Sequence, residues 1–218
     1  MHDIILPTFG LATHTALMLY IIAGLTIFFA IMSARLRLVP GRAQSIIELF
    51  VDGFIQLVLE TMGQKGRNYV PFVITFAVFI FAANVLSLIP GFIPPTANIN
   101  TTVGLALIVF VTTHIVGIKA HGIKYLKQFV GPVLWLAPLM IPIEIVGHLA
   151  RPVSLSMRLF GNMMGHEQIV MVLLLLMPIA YPLLAFSTVL GVLVVFIQSF
   201  IFTLLSMMYI GAALEEAH

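Results

Sequence analysis

Apolar residues run along this chain in long blocks, and polar residues punctuate them. The first block covers residues 13–34 and closes at ARLRLVPGR, with Arg35, Arg37 and Arg42. A helix rises ~1.5 Å per residue, so about 20 apolar residues cross the ~30 Å hydrocarbon of a bilayer. Residues 13–34 therefore predict a transmembrane helix. Four more are predicted at 70–92, 101–118, 132–176 and 183–214. The second breaks at LIPGFIPP, and the third runs out at Lys119, ahead of Lys124 and Lys127. MPIAYP, with Pro178 and Pro182, turns the fourth into the fifth.

Residues 42–64 follow a different rhythm. Glu48, Asp52, Gln56 and Glu60 recur every fourth residue, with Ile, Leu, Phe and Val between them. This is an amphipathic helix with an acidic stripe. Three carboxylates on one stripe place it along the cytoplasmic membrane surface rather than across the lipid. The expected fold is a single all-α polytopic membrane domain over residues 1–218. It has five transmembrane helices plus one amphipathic surface helix, the last two spans forming a long tilted antiparallel hairpin.

Composition supports this class. Hydrophobic residues make up 61% of the 218 and charged residues 8%, where a soluble domain carries about 25% charged. Mean hydropathy is +1.15. A net charge of +2 argues against a nucleic-acid surface, and the absence of cysteine excludes disulfides and thiolate metal sites. No cofactor is expected. The N-terminal MHDIILPTFGLATH lacks the basic region of a signal peptide and is read as part of the mature protein.

Charge placement then sets orientation. Arg35, Arg37, Arg42, Lys65 and Arg67 follow the first span, and Lys119, Lys124 and Lys127 follow the third. The GFIPPTANIN loop after the second has no charge. By the positive-inside rule the N-terminus lies outside and the C-terminus in the cytoplasm.

Ionisable residues inside spans are costly, and they are functional candidates for that reason. They concentrate in the fourth span. Arg158 stands about 21 Å along the helix axis from Glu144, and Glu167 about 13 Å further. These put one charge near the inner face, one in the middle and one in the outer half. At ~100° per residue, Glu144, Arg151, Ser154 and Asn162 share the face of Arg158 within about 40°. Glu167 falls on the opposite side. Two separate aqueous routes fit this pattern better than one central pore. The last span carries Ser187, Gly191, Gln198, Tyr209 and Glu216 on one stripe. In an antiparallel hairpin, facing residues keep a constant index sum. Arg158 with Gln198 and His166 with Gly191 satisfy one register, so a glycine leaves room for a bulky histidine.

Other polar motifs lead nowhere as sites. His148 lies four residues after Glu144, but two ligands are too few for a metal. HEQIV lacks the second histidine of H-E-x-x-H. His14, His114 and His121 lie near span ends and read as interfacial.

PVSLSMRLFGNMMGHEQI followed by QSFIFTLLSMMYI, with NVLSLIPGF on the second span, resembles subunit a of the F-type ATP synthases. Weaker similarity covers nearly the whole chain, and its length looks bacterial, which implies the inner membrane. The resemblance implies that Arg158 is the family's essential arginine. Glu167 matches the acidic residue of the proton inlet, with His166 and Asn84 beside it. Glu144 matches an acidic residue of the cytoplasmic exit, which the Arg158 stripe extends to Ser154. Asn162 and Gln198 match the polar residues next to the arginine. His166 with Gly191 exchanges a histidine that some members carry on the last helix. Ser87 stands where some members have an acid. The implied partners are a ring of c subunits with mid-membrane carboxylates, the b subunits of the peripheral stalk, the F1 sector, protons and lipid. The implied role is a non-catalytic proton-translocating stator. Leu155 and Leu159, beside Arg158, are the expected points for crosslinking to a ring helix.

Two rival classes remain. A secondary ion transporter would show two related halves with broken helices in both, whereas here the polar residues cluster in the last third. An intramembrane hydrolase would need a nucleophile and base, an aspartate pair or a metal site within the spans. Asp3 and Asp52 lie outside them, and no G-x-S-x-G occurs.

Overall fold

A computed structural model describes residues 12–89, 94–122, 125, 137–176 and 181–215. Among these residues the fold is entirely helical. Six α-helices succeed one another: α1 (Thr13–Ala34), α2 (Arg42–Met62), α3 (Val70–Val85), α4 (Ile99–His121), α5 (Ala137–Leu175) and α6 (Tyr181–Leu214). Short 3₁₀ turns at Gln64–Tyr69, Leu86–Leu88 and Pro95–Ala97 join the middle ones.

Local chemistry sets several of these ends. Gly63, at φ 65°, stops α2, and Gly122, at φ 57°, stops α4. Both adopt left-handed backbone that glycine reaches without steric cost. Asn98 caps α4, its side chain accepting from the amide of Asn100 at 2.9 Å. The expected break at LIPGFIPP is partly in view: α3 tightens into 3₁₀ at Leu86–Leu88, and residues 90–93 lie outside the described set.

Four segments are long and apolar enough to cross a membrane: Thr13–Ala34, Gln64–Leu88, Ile99–His121 and Pro182–Leu214. The fourth expected span, α5, is not among them. Its 39 residues extend about 58 Å at ~1.5 Å each, ample for any bilayer. Glu144, Arg151, Arg158, Asn162, His166 and Glu167 within it depress its hydropathy. The residues that suggest function are the ones that remove it from a hydropathy count.

Two adjoining cores hold the bundle. One gathers Phe76 and Ile80 of α3, Leu105 and Val109 of α4, Leu155, Leu159 and Met163 of α5, and Phe202 of α6. The other joins Val58 and Met62 of α2 to Val70 and Val73, Val116, Met207 and Ile210. Helix α6 passes through both. Its Ser199, Thr203 and Ser206 each donate to the carbonyl four residues earlier at 2.8 Å. That satisfies each hydroxyl within its own helix and leaves a slim seam for neighbours to approach.

The margins are looser. Helix α1 buries only Ala16 and Leu17, so most of its length faces outward. In α2 the acidic stripe of Glu48, Asp52, Gln56 and Glu60 is exposed, while Val58 and Met62 anchor its C-terminal half. Ile46 and Leu49, toward the other end, are 69% and 74% exposed.

Candidate functional site: the arginine hairpin

Helix α5 presents His148, Leu155, Leu159 and Met163 to the interior, all 4% exposed or less. The i, i+7, i+11, i+15 spacing of this set defines one helical face. Arg158 precedes Leu159 and so stands at the edge of that face, exposed. It makes no hydrogen bond or ion pair with any described residue. Ser154, a turn earlier, is exposed as well. A Cβ added at Gly147, Gly161 or Gly165 would meet nothing within 4 Å. Gly161, three residues on, therefore leaves low, open surface beside Arg158.

One sequence expectation changes here. Leu155 and Leu159 do not face outward beside the arginine. They are 1% and 0% exposed and pack against α3, α4 and α6. The polar wheel located the arginine stripe but not the breadth of the buried face beside it.

Helix α6 runs antiparallel beside α5, with His166 against Gly191 as the index sum required, while Gln198 meets Asn162 rather than the Arg158 it was expected to face. Asn162 Nδ2 donates to Gln198 Oε1 at 2.6 Å, one turn from Arg158. Gln198 is 2% exposed, and its own amide nitrogen has no acceptor among the described residues. Further out, the His166 ring occupies the space beside Gly191, where a Cβ would collide with the imidazole. His166 Nε2 lies 3.4 Å from the Ser187 carbonyl. Asn162, Gly165, His166, Ser187 and Leu190 border a cleft of about 510 Å³ between the two helices. Glu167, half-buried, makes no hydrogen bond or ion pair with any described residue.

Asn84 lies in α3 and is fully buried. Its Nδ2 donates to Ser199 Oγ at 3.2 Å, and its Oδ1 accepts from Thr96 Oγ1 at 2.8 Å. It thus ties α3 to the loop before α4 and to α6. Neither partner was legible in the sequence, because the contacts span 12 and 115 residues.

At the other end of the bundle, Glu144 Oε1 lies 3.2 Å from His148 Nε2. The His148 ring meets His114 of α4, with centroids 5.3 Å apart. His114 also meets Tyr125, at 6.0 Å. Arg151 stacks over the Tyr209 ring at 5.6 Å. His114 therefore belongs to a helix–helix contact, not to an exposed interface as its place near a span end suggested. Glu216, on the α6 stripe, lies outside the described residues. Among the described residues no group of three or more His, Asp or Glu side chains is arranged to hold a metal.

The family model for the ATP synthase A chain matches residues 15–211. ATP synthase subunit a 1 of Syntrophotalea carbinolica is 52% identical over 206 residues, covering 94% of this chain and 86% of that protein. ATP synthase subunit a of Geobacter sulfurreducens is 53% identical over 198 residues, covering 91% and 86%. Identity at this level over nearly the full length carries the hairpin with it, and the chain belongs to the ATP synthase A chain family.

Proposed function

We propose that this chain is the proton-translocating stator of its ATP synthase, working against a ring of c subunits through two offset aqueous half-channels. Arg158, exposed and without a partner among the described residues, carries the reading. A charge at mid-span costs about 2.5–3.5 kcal/mol on insertion scales. A carboxylate at ~4 Å returns about 4 kcal/mol at an effective dielectric of 20. The two are close enough that a ring carboxylate stabilises the arginine without locking the ring in place.

The steps follow from charge. A proton enters from outside past Glu167, His166 and Asn84, through the cleft between α5 and α6. It neutralises a ring carboxylate, which then turns into lipid as an uncharged group. After nearly a full turn the carboxylate reaches the inner route, beside Ser154 and Glu144. There Arg158 favours its ionised form, since a cation within ~4–6 Å lowers a carboxylate's pKa by about 1–3 units. The proton leaves, and the same cation repels protons that would cross directly between the routes. The guanidinium spreads its charge over a planar fork and keeps it throughout the cycle. Asn162 and Gln198, bonded to each other, hold the polar wall one turn away. The chain forms no bond with ATP; its part is to couple proton flow to rotation, with the b subunits holding it against the turning ring and F1 making ATP. The setting is the bacterial inner membrane.

Arg158→Ala in the assembled complex should abolish ATP-driven proton pumping into inverted vesicles, while the chain stays in the membrane. Pumping at the wild-type rate would overturn the assignment.

A further inference from the structure

The cluster at the Glu144 end contains more titratable groups than the route above uses. His148 comes from α5 and is 4% exposed. His114 comes from α4, and Arg151, Pro152 and Tyr209 complete a recess of about 10 Å³ around the pair. That is room for about one water. His114 Nδ1 lies 2.8 Å from the Phe110 carbonyl, an acceptor, so Nδ1 carries the proton. The neutral ring therefore keeps Nε2 as its basic nitrogen. Pro152 has no N–H to offer the His148 carbonyl, so the backbone here is polar as well.

We propose that His148 and His114 form a proton relay between this recess and Glu144, the last buried stage of the inner route. The inference rests on the stator reading. A proton reaching the recess adds to His114 Nε2 and gives an imidazolium, which hands that proton across the recess to His148 Nδ1 and returns to the neutral ring. His148, now cationic, gives its Nε2 proton to Glu144 Oε1, 3.2 Å away, and is left neutral with its proton on Nδ1. Glu144, whose side chain is 32% exposed, releases it to water as the carboxylate reforms. Each transfer moves one proton; His114 ends as it began, and His148 is reset when its Nδ1 proton shifts back to Nε2 before the next transfer. The groups facing the pair are Glu144 and Arg151 on α5, Tyr209 on α6 and Tyr125 beside α4. Arg151, held over Tyr209, is a fixed cation that keeps an imidazolium from persisting, and Glu144 draws the proton onward.

The test measures passive proton conductance of the F1-stripped membrane sector in inverted vesicles, with the bath at the inner face stepped from about pH 5 to 8, the range in which histidine changes charge. Positioned proton-transfer groups contribute about 10²–10⁴-fold, so His148→Gln should lower conductance at least tenfold and flatten its pH profile. His114→Gln should flatten it too. The double variant should be no worse than His148→Gln, because the two act in series. Unchanged profiles in variants present at wild-type amounts would overturn the relay, as would strictly multiplicative losses. If His148→Gln does not accumulate, His114→Gln decides alone by the same criterion. Arg158→Ala separates the two claims: if it pumps normally the stator reading itself falls, and if it does not while both histidine variants behave as wild type, only the relay falls.

Discussion

Gly191 shows how one missing side chain fixes a register. The His166 imidazole fills the volume a Cβ would need, so α5 and α6 can lie this close with the bulk on one helix only. Gly191→Ala should therefore part the helices or turn the His166 ring out. Overpacking of this kind costs about 1–3 kcal/mol. The expected outcome is less chain in the membrane and lower pumping, with His166→Ala in the same chain restoring the amount. Failure of the second change to restore it would mean that Gly191 serves backbone freedom, not this contact. The pairing was legible because the last two helices form an antiparallel hairpin, which sets His166 opposite Gly191; the same reasoning placed Gln198 one turn off, since it bonds Asn162 and not Arg158. The Asn84 contacts were not legible. An asparagine in an apolar run announces that it needs partners, but not that Thr96 and Ser199 supply them. His148 beside Glu144 was visible as an i, i+4 pair, whereas His114 enters from another helix, 34 positions earlier.

At the scale of the element, α5 is a helix of two unlike faces. Its buried face of Leu155, Leu159 and Met163 belongs to the core. Its outward face carries Ser154, Met157, Arg158 and Gly161. A cysteine at Ser154, Met157 or Gly161 should then crosslink to a cysteine on a c-ring helix, and one at Leu155 or Leu159 should not. Efficient crosslinking from the leucines would reverse the assignment of faces. The apolar blocks foretold where helices form, because twenty apolar residues in lipid leave the backbone few alternatives to helical hydrogen bonding. They could not say which side of α5 the other helices cover. That depends on Phe76, Leu105 and Phe202, contacts made at long range. Charge also blurred the element itself: α5 is the longest helix described, yet hydropathy passes over it.

Over the whole molecule, the two ends of the bundle differ in chemistry. One end holds His14 beside Asn98, with Nδ2 to Nε2 at 3.2 Å, the Asn84 network, and the His166 cleft. The other holds the Glu144–His148 pair and Arg151 over Tyr209. Basic residues outside the hairpin sort with the second end: Arg35 follows α1, Lys65 and Arg67 lie between α2 and α3, and Lys119 lies in the last turn of α4. Under the proposed function, the positive-inside rule predicts from that asymmetry a direction: the Asn98 end outside, the Glu144 end in the cytoplasm. Val39, 83% exposed between α1 and α2, and Asn100, exposed at the start of α4, report on opposite ends. With a membrane-impermeant thiol reagent, Val39→Cys should label in inverted vesicles and Asn100→Cys in right-side-out ones. The reverse pattern would invert the molecule, making Glu144 the residue of the outer route and Glu167 that of the inner. Arg158 would keep its place between them, because its position depends on the packing of α5 against its neighbours and not on which aqueous phase each end meets.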